Sequence, residues 1–321
     1  MNGDDDNDDN LPAAYVTVDK PWEHGPEYVF QVQVNSTAIP EEDMYDSVRL
    51  NLESRLICQP KVDSYSLSCR FKDSVANSFV TDILEPTGPA VPAGPVSRQE
   101  AYEINEDQFE IKFNEKGLDS LLVNENIQPR ELDMIRLIVG QLNFGISLSE
   151  AGRVANREDG IFDAMENFTQ GECVTTFKID RKVNARLHGK SNFLLRPVLD
   201  LKEQKMLQIR KIRHLHICTH KVPYFFGNAE NLAEVSDIVS DISTSYSQIA
   251  VTESDFVSDM SSVITMNKIT EAVLTTLYEN VRLRLVSIRP AESEPPAVTE
   301  AEPASIFIGR WLIAGSADED N

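Results

Sequence analysis

Apolar residues recur at every second position over most of this chain, and that rhythm is what most restricts its fold. A strand turns successive side chains to opposite faces, so period-two apolar stripes mean strands with one buried face. From Glu27 to Val34, Tyr28, Phe30, Val32 and Val34 alternate with Gln31 and Gln33. From Val48 to Cys58, Val48, Leu50, Leu52, Leu56 and Cys58 share one parity. The polar stretch Gln59–Ser64 contains Pro60 and reads as a turn, after which Tyr65, Leu67, Cys69 and Phe71 continue opposite Ser66, Ser68 and Arg70. Together these two stripes predict a hairpin. A second hairpin is predicted from Phe109, Ile111 and Phe113, a turn over Asn114–Gly117, and a return over Leu118–Val123. Further strands are expected at Cys173–Asp180, Leu194–Leu201, Met206–His220 and Thr270–Ile288.

One segment breaks the rhythm. Pro129 stands where a first helical residue is favoured, and Leu132, Ile135, Ile138, Val139 and Leu142 follow at helical spacing. Met134 and Leu137 widen the apolar face to most of the circumference, so this helix should be enclosed, with sheet on more than one side. Residues 85–98 hold four prolines and two glycines and are expected to form an exposed extended loop, residues 146–160 a polar loop. Residues 236–262, rich in Ser and Asp, read as a weakly low-complexity stretch.

The termini carry a different composition. Residues 1–12 are expected to form an acidic disordered tail, residues 13–290 the folded domain, and residues 291–321, rich in Pro and Glu, a second tail. Across the chain 52 acidic residues face 30 basic ones, a formal charge of -22. Phosphate backbones and anionic leaflets repel such a surface, so neither nucleic acid nor an anionic membrane is an expected partner. The longest apolar run, Ile306–Ile313, is short and interrupted by Arg310, so no membrane-spanning segment is expected.

A search for chemistry finds little. Gly189-Lys190-Ser191 resembles the end of a phosphate-binding loop, but Asn184 occupies the place of the first glycine, and no cofactor is expected. His214, His216, Cys218 and His220 share one parity and suggest a zinc ligand comb. Neighbours two apart on a strand lie about 6.6 Å from each other, too far for one tetrahedral ion without distant ligands, so the favoured reading is a half-exposed polar face and no metal. No nucleophile–base constellation can be assembled, so the chain is not expected to be an enzyme.

Four cysteines, an even count, favour disulfides. Alternation puts Cys58 and Cys69 on the apolar face of the two strands of the first hairpin, which predicts a bridge between them. Two sequons, Asn35-Ser36-Thr37 and Asn167-Phe168-Thr169, mark Asn35 and Asn167 as glycosylation candidates and favour the secretory pathway.

The stretch from Phe109 to Asn143, followed by FDAMENFTQGECVTTFKI (Phe162–Ile179), resembles the amino-terminal lipoprotein domain of vitellogenins, within the large lipid transfer protein family. Thr169-Gln170-Gly171-Glu172-Cys173 resembles the T-x-G-x-C hallmark of that family. IRHLHICTHKVPYFFG (Ile212–Gly227) and Ser261–Ala291 extend the similarity, with Lys221 where arginine is usual. The resemblance covers roughly residues 25–290.

It implies a mainly β fold of lipovitellin N-sheet type, an antiparallel barrel-like sheet wrapped around a central α-helix, here the segment 129–143. The Ser/Asp stretch lies where insect relatives carry a polyserine linker. The resemblance also pairs Cys173 with Cys218. It implies a secreted domain of lipid and yolk transport whose partner is a lipoprotein-type receptor or another extracellular protein, with lipid a further candidate. In the family, the basic segment just before the second cysteine of the pair is implicated in receptor binding. Here that segment is Gln208–Ile217, which makes Lys211 the receptor contact with Arg210 and Arg213 steering the encounter; the equal alternative is that these charges form local salt bridges with the acidic remainder of the chain. The competing reading is an extracellular structural or interaction protein that keeps the barrel without lipid carriage.

Overall fold

Alternating apolar residues need a partner ladder on each side and cover on the buried face, and one large sheet supplies both. The computed structural model describes residues 15–16, 22–40, 47–61, 64–81, 97–102, 104–147, 160–183, 205–221, 238–252, 255–268 and 273–308. Its strands are β1 (Tyr15–Val16), β2 (Pro26–Pro40), β3 (Ser47–Pro60), β4 (Ser66–Thr81), β5 (Ser97–Tyr102), β6 (Phe109–Asn114) and β7 (Gly117–Asn124). After the helix α1 (Pro129–Val139) come β8 (Ile161–Phe168), β9 (Gly171–Val183), β10 (Lys205–Lys221), β11 (Ile238–Val251), β12 (Phe256–Lys268), β13 (Val273–Pro290) and β14 (Ala301–Ser305).

All fourteen strands join one sheet, whose main path runs β14-β7-β6-β4-β3-β2-β13-β12-β11-β10-β9-β8. Pairing along the path is antiparallel, while β1 lies parallel to β13, and β5 pairs β4 off the path. The sheet is open: β14 and β8 are its two ends, so the expected barrel is not closed by a strand ladder among the described residues. A backbone hydrogen bond from Ile308 N–H to the Thr169 carbonyl, 2.8 Å, links the chain beyond β14 to the turn after β8.

The inner face carries the predicted stripes. Tyr28, Phe30, Val32 and Val34 of β2 are buried beside Leu52, Leu56 and Cys58 of β3. Pro129 opens α1 as expected, and Gly140–Leu142 tightens its end into a 3₁₀ turn. Residues 132 to 139 are all buried, including Asp133 and Arg136, which pair with each other at 2.8 Å. Arg136 Nε also donates to the Ser305 carbonyl at 2.9 Å, and Ser258 of β12 donates to Gln141 at 3.0 Å. The polar side of the helix is therefore packed as well as its apolar side.

Three expectations change. The fold does not stop at residue 290, because β14 pairs with β7 and Ile306 and Ile308 are buried. The Ser/Asp stretch contains two long strands, β11 and β12, and places Ser245, Ser247, Ser258 and Ser262 inward. Small hydroxyls fit there because the inner face carries a polar band at that level. Finally, β8 precedes the strand expected at Cys173 and forms an edge of the sheet. Within residues 85–98, positions 97–98 open strand β5, while 85–96 lie outside the described residues, as do Leu194–Leu201, 1–12 and 309–321.

Candidate functional site

Strand β10 carries the basic residues of the predicted site, and its pleat sorts them onto two faces. Leu207, Ile209, Lys211, Arg213 and Leu215 point inward and are buried, while Arg210 and Ile212 lie on the other face. Lys211 is 1% exposed and Arg213 7%. Both are therefore misplaced by the receptor reading: a docking protein cannot reach either without opening the sheet. Charge alone suggests a surface position for them, yet both fall in the apolar parity of the strand.

What they meet is Glu166 of β8, itself fully buried. Lys211 Nζ lies 2.8 Å from Glu166 Oε1, and Arg213 grips the carboxylate through Nε at 3.0 Å and Nη2 at 3.1 Å. Thr175 Oγ1 of β9 donates a further bond at 2.9 Å, so each carboxylate oxygen has at least two donors. Lys211 also donates to the Asn143 carbonyl at 2.6 Å, and Arg213 Nη1 to Ser245 Oγ of β11 at 3.0 Å. The Arg213 guanidinium lies over the Phe168 ring, 4.4 Å from its centroid.

Asn143, just past the helix, extends the network. Its Oδ1 accepts from Leu118 N–H of β7 and from Gly145 N–H, and its Nδ2 donates to the Asn167 carbonyl of β8. Gly145 has φ +75, and a Cβ there would come within 2.9 Å of three side-chain atoms of Glu166. Glycine is needed on both counts: for the left-handed backbone and for the close approach. One ionic cluster thus ties the helix exit to β8, β9, β10 and β11.

Two cations around one anion set the titration. Burial alone would push the Glu166 carboxyl up, but Arg213 and Lys211 hold it down to about 2 from an ordinary 4.5. Lys211 has one anion in its favour against burial and the like charge of Arg213, and falls to about 8 from 10.5. The signs are opposite. The stabilisation from Glu166 is complete above about pH 4.5 and is lost as pH falls toward 2, a span worth about 3 kcal/mol. Keeping Lys211 charged costs stability below about pH 8, and that cost is relieved as pH rises toward 10.5. Urea midpoints should therefore fall between pH 4.5 and pH 2 in the wild type, and this part of the loss should be absent when Glu166 is replaced by Gln. An unchanged acid dependence in that variant would remove Glu166 from the explanation.

The outer face of β10 is different. Arg210 is half-exposed and pairs with Asp180 of β9. Ile212, 55% exposed, stands directly opposite Tyr246 of β11, 39% exposed, and Ile217 is exposed further along. The His214 and His216 rings lie 5.9 Å apart, and a large bulge separates Arg213↔Thr175 from the next pair, Cys218↔Cys173. His214 Nε2 lies 2.6 Å from Thr176 Oγ1, and no group of three potential metal ligands occurs among the described residues. The His220 side chain is outside them.

Cys58 is bonded to Cys69, opposite it in register with Cα atoms 4.1 Å apart, and Cys173 to Cys218 at 3.9 Å. Asn35 and Asn167 are both exposed. The ionic cluster was the part that sequence reading missed. Its signal was present: Lys211 and Arg213 share parity with Ile209 and Leu215, and Glu166 with Phe162 and Phe168.

A solved lipovitellin structure, described for its lipid–protein interactions, matches this fold with a TM-score of 0.57 at 12% identity. The match covers 92% of this chain, which spans 28% of that structure's chain. No curated protein sequence matches the chain. The family model for the vitellogenin N-terminal domain matches residues 22–285. With that match extending over most of its length, the chain belongs to the vitellogenin N-terminal domain family.

Proposed function

We propose that this chain is a secreted, non-enzymatic module of lipid and yolk transport that meets a receptor or another extracellular protein through the outer face of its sheet. The observation that carries this reading is the filled interior: residues 132 to 139 of α1 are all buried against the strands, which favours recognition over lipid storage in the core. Hydrogen bonds from the helix and its exit to β7, β8, β10 and β12 support a sheet that curves around the helix in a barrel-like wrap. Two disulfides suit an oxidising compartment. The filled interior equally suits an extracellular interaction protein without lipid carriage.

With Lys211 and Arg213 buried, the docking surface falls to Arg210 and the Ile212–Tyr246 pair. Binding to a receptor ectodomain built from acidic, calcium-binding modules is the test. Arg210→Glu should weaken it roughly fivefold at low salt and less at moderate salt, because rim charges act through a screened field. Equal affinity of wild type and variant at both salts would remove β10 from the interface. Mass spectrometry of lipid extracted from the purified chain separates the readings: stoichiometric lipid would overturn recognition without storage.

A further inference from the structure

Strand β8 ends the sheet without the devices that usually protect an edge. Edge strands are normally blunted by lysine, proline, a bulge or shortness, because their unpaired backbone is a template for another strand. The other end of the path, β14, is five residues long and holds Pro303. By contrast β8 is eight residues long, IFDAMENF, with no lysine, no proline and an unbroken register to β9.

The hydrogen-bond phase identifies the groups left over. Ile179 N–H donates to the Gly160 carbonyl at 3.0 Å, so Phe162, Ala164 and Glu166 exchange their backbone bonds with β9. Ile161, Asp163, Met165 and Asn167 therefore turn their N–H and C=O groups to the other side. There the Asn167 carbonyl accepts from Asn143 Nδ2 at 2.7 Å, and the Thr169 carbonyl from Ile308 N–H at 2.8 Å. Ile161, Asp163 and Met165 have no backbone partner on that side among the described residues. Side chains repeat the pattern. Ile161 and Met165 are 43% and 40% exposed on the outer face, with exposed Asp163 between them. On the inner face the Phe162 ring stacks on Phe177 of β9, 5.4 Å between centroids. Yet Phe162 and Ala164 stay half-buried where Phe177 is fully buried, so the core is one strand short of cover at this edge.

We infer that residues 161–165 of β8 accept an added strand from a partner protein, an extended segment with a lysine or arginine centred between apolar residues. An antiparallel strand forms hydrogen-bonded pairs at Ile161, Asp163 and Met165 and uses all three N–H and all three C=O groups. Its residues opposite Ile161 and Met165 meet apolar side chains on the outer face, and those opposite Phe162 and Ala164 complete the inner cover. The residue opposite Asp163 brings a positive charge, since like charges directly opposite destabilise a pair. Thr176 Oγ1 donates to Asp163 Oδ1, which satisfies a hydrogen bond and leaves the carboxylate charge in place. Charge also disfavours a second copy as the occupant. Two-fold pairing of β8 with itself about this centre sets Asp163 against Asp163, in chains of formal charge -22. The edge is distinct from the β10 face proposed above, and the inference does not rest on that face.

The test uses the full chain and the peptide acetyl-Ser-Val-Val-Lys-Ala-Val-Ser-amide, whose lysine faces Asp163 in this pairing. Amide exchange followed by nuclear magnetic resonance should find Ile161, Asp163 and Met165 fast in the free chain, beside slow Phe162 and Ala164. Saturating peptide should slow those three roughly tenfold. A peptide with glutamate in place of lysine should bind roughly fivefold more weakly, and Asp163→Lys should reverse that preference. Met165→Pro removes a free-side N–H and no bond to β9, so it should weaken binding roughly tenfold with the fold kept. Should that variant fail to fold, the charge swap decides alone. No slowing at the three residues, or equal affinity of both peptides for wild type and Asp163→Lys, overturns the inference. Slow exchange at all three in the free chain overturns it as well, because the chain's own segment or a second copy then occupies the edge.

Discussion

Glu166→Ala is expected to cost about 3–5 kcal/mol, because it leaves two cations buried without their anion. That is a large share of the roughly 5–15 kcal/mol by which folded domains exceed their unfolded state. Lys211 and Arg213 would keep their carbonyl and hydroxyl contacts to Asn143 and Ser245, which satisfy hydrogen bonds and cannot neutralise charge. Lys211→Met should behave differently. It leaves Arg213 and Glu166 as a bidentate, charge-balanced pair with Thr175 still donating, and it removes an ammonium whose charge burial disfavours. Removing one ion from a buried pair is costly because its partner is left uncompensated, but here Glu166 keeps Arg213 as its counter-charge, so a change within about 1 kcal/mol is expected. Urea unfolding of the two variants beside wild type measures both. Equal losses in the two would show that Lys211 is as necessary as Glu166 and would sink the two-to-one charge argument.

Losing the Cys173–Cys218 bridge is expected to cost about 4 kcal/mol in the chain-entropy account, since it closes a loop of 45 residues. The Cys58–Cys69 bridge closes 11 and should be worth about 3 kcal/mol. Position adds to the difference. The Cys173–Cys218 bridge lies where the bulge of β10 ends: four residues lie between Arg213 and Cys218, while one lies between their partners Thr175 and Cys173. Without the covalent tie, surplus chain can slide along β9, and a slip of one residue would turn Arg213 outward, away from Glu166. The double variant Cys173→Ser/Cys218→Ser should therefore lose the acid-sensitive stabilisation together with the loop term, whereas Cys58→Ser/Cys69→Ser should keep it. Denaturation midpoints at neutral pH and near pH 3 separate these outcomes. If both double variants retain the same acid dependence, the bridge does not hold the register of the ionic cluster.

How legible these features were depends on how far apart in the chain their causes lie. The Cys58–Cys69 bridge was legible because one alternating stripe runs through both residues and the turn between them is short. The helix was legible because its period, its proline start and its breadth of apolar face all lie within one segment. Strand β14 was not, because Ala301–Ser305 is short, polar and holds Pro303. A proline lacks the N–H that a central strand must donate, and it is tolerated here because β14 ends the sheet path. The serines of β11 and β12 misled for a related reason: their pattern is right for strands, but their polarity hides it until the polar band they face is known.

From the sequence alone follow the strand-rich class, the inward stripes, the helix that Pro129 opens and the Cys58–Cys69 pairing, since each depends on side-chain periodicity within a short stretch, whereas the Cys173–Cys218 pairing came from the family resemblance. Tertiary structure decided which charges are inside. Lys211 and Arg213 are buried because Glu166, 45 residues before Lys211, is brought opposite them by the register of β8 on β9 and of β9 on β10. A charge leaves water only when its counter-charge and hydrogen bonds are already in place, and that condition belongs to the assembled sheet rather than to any one strand. The same register set Arg210 outward and its neighbours inward, dividing one basic segment between the surface and the core.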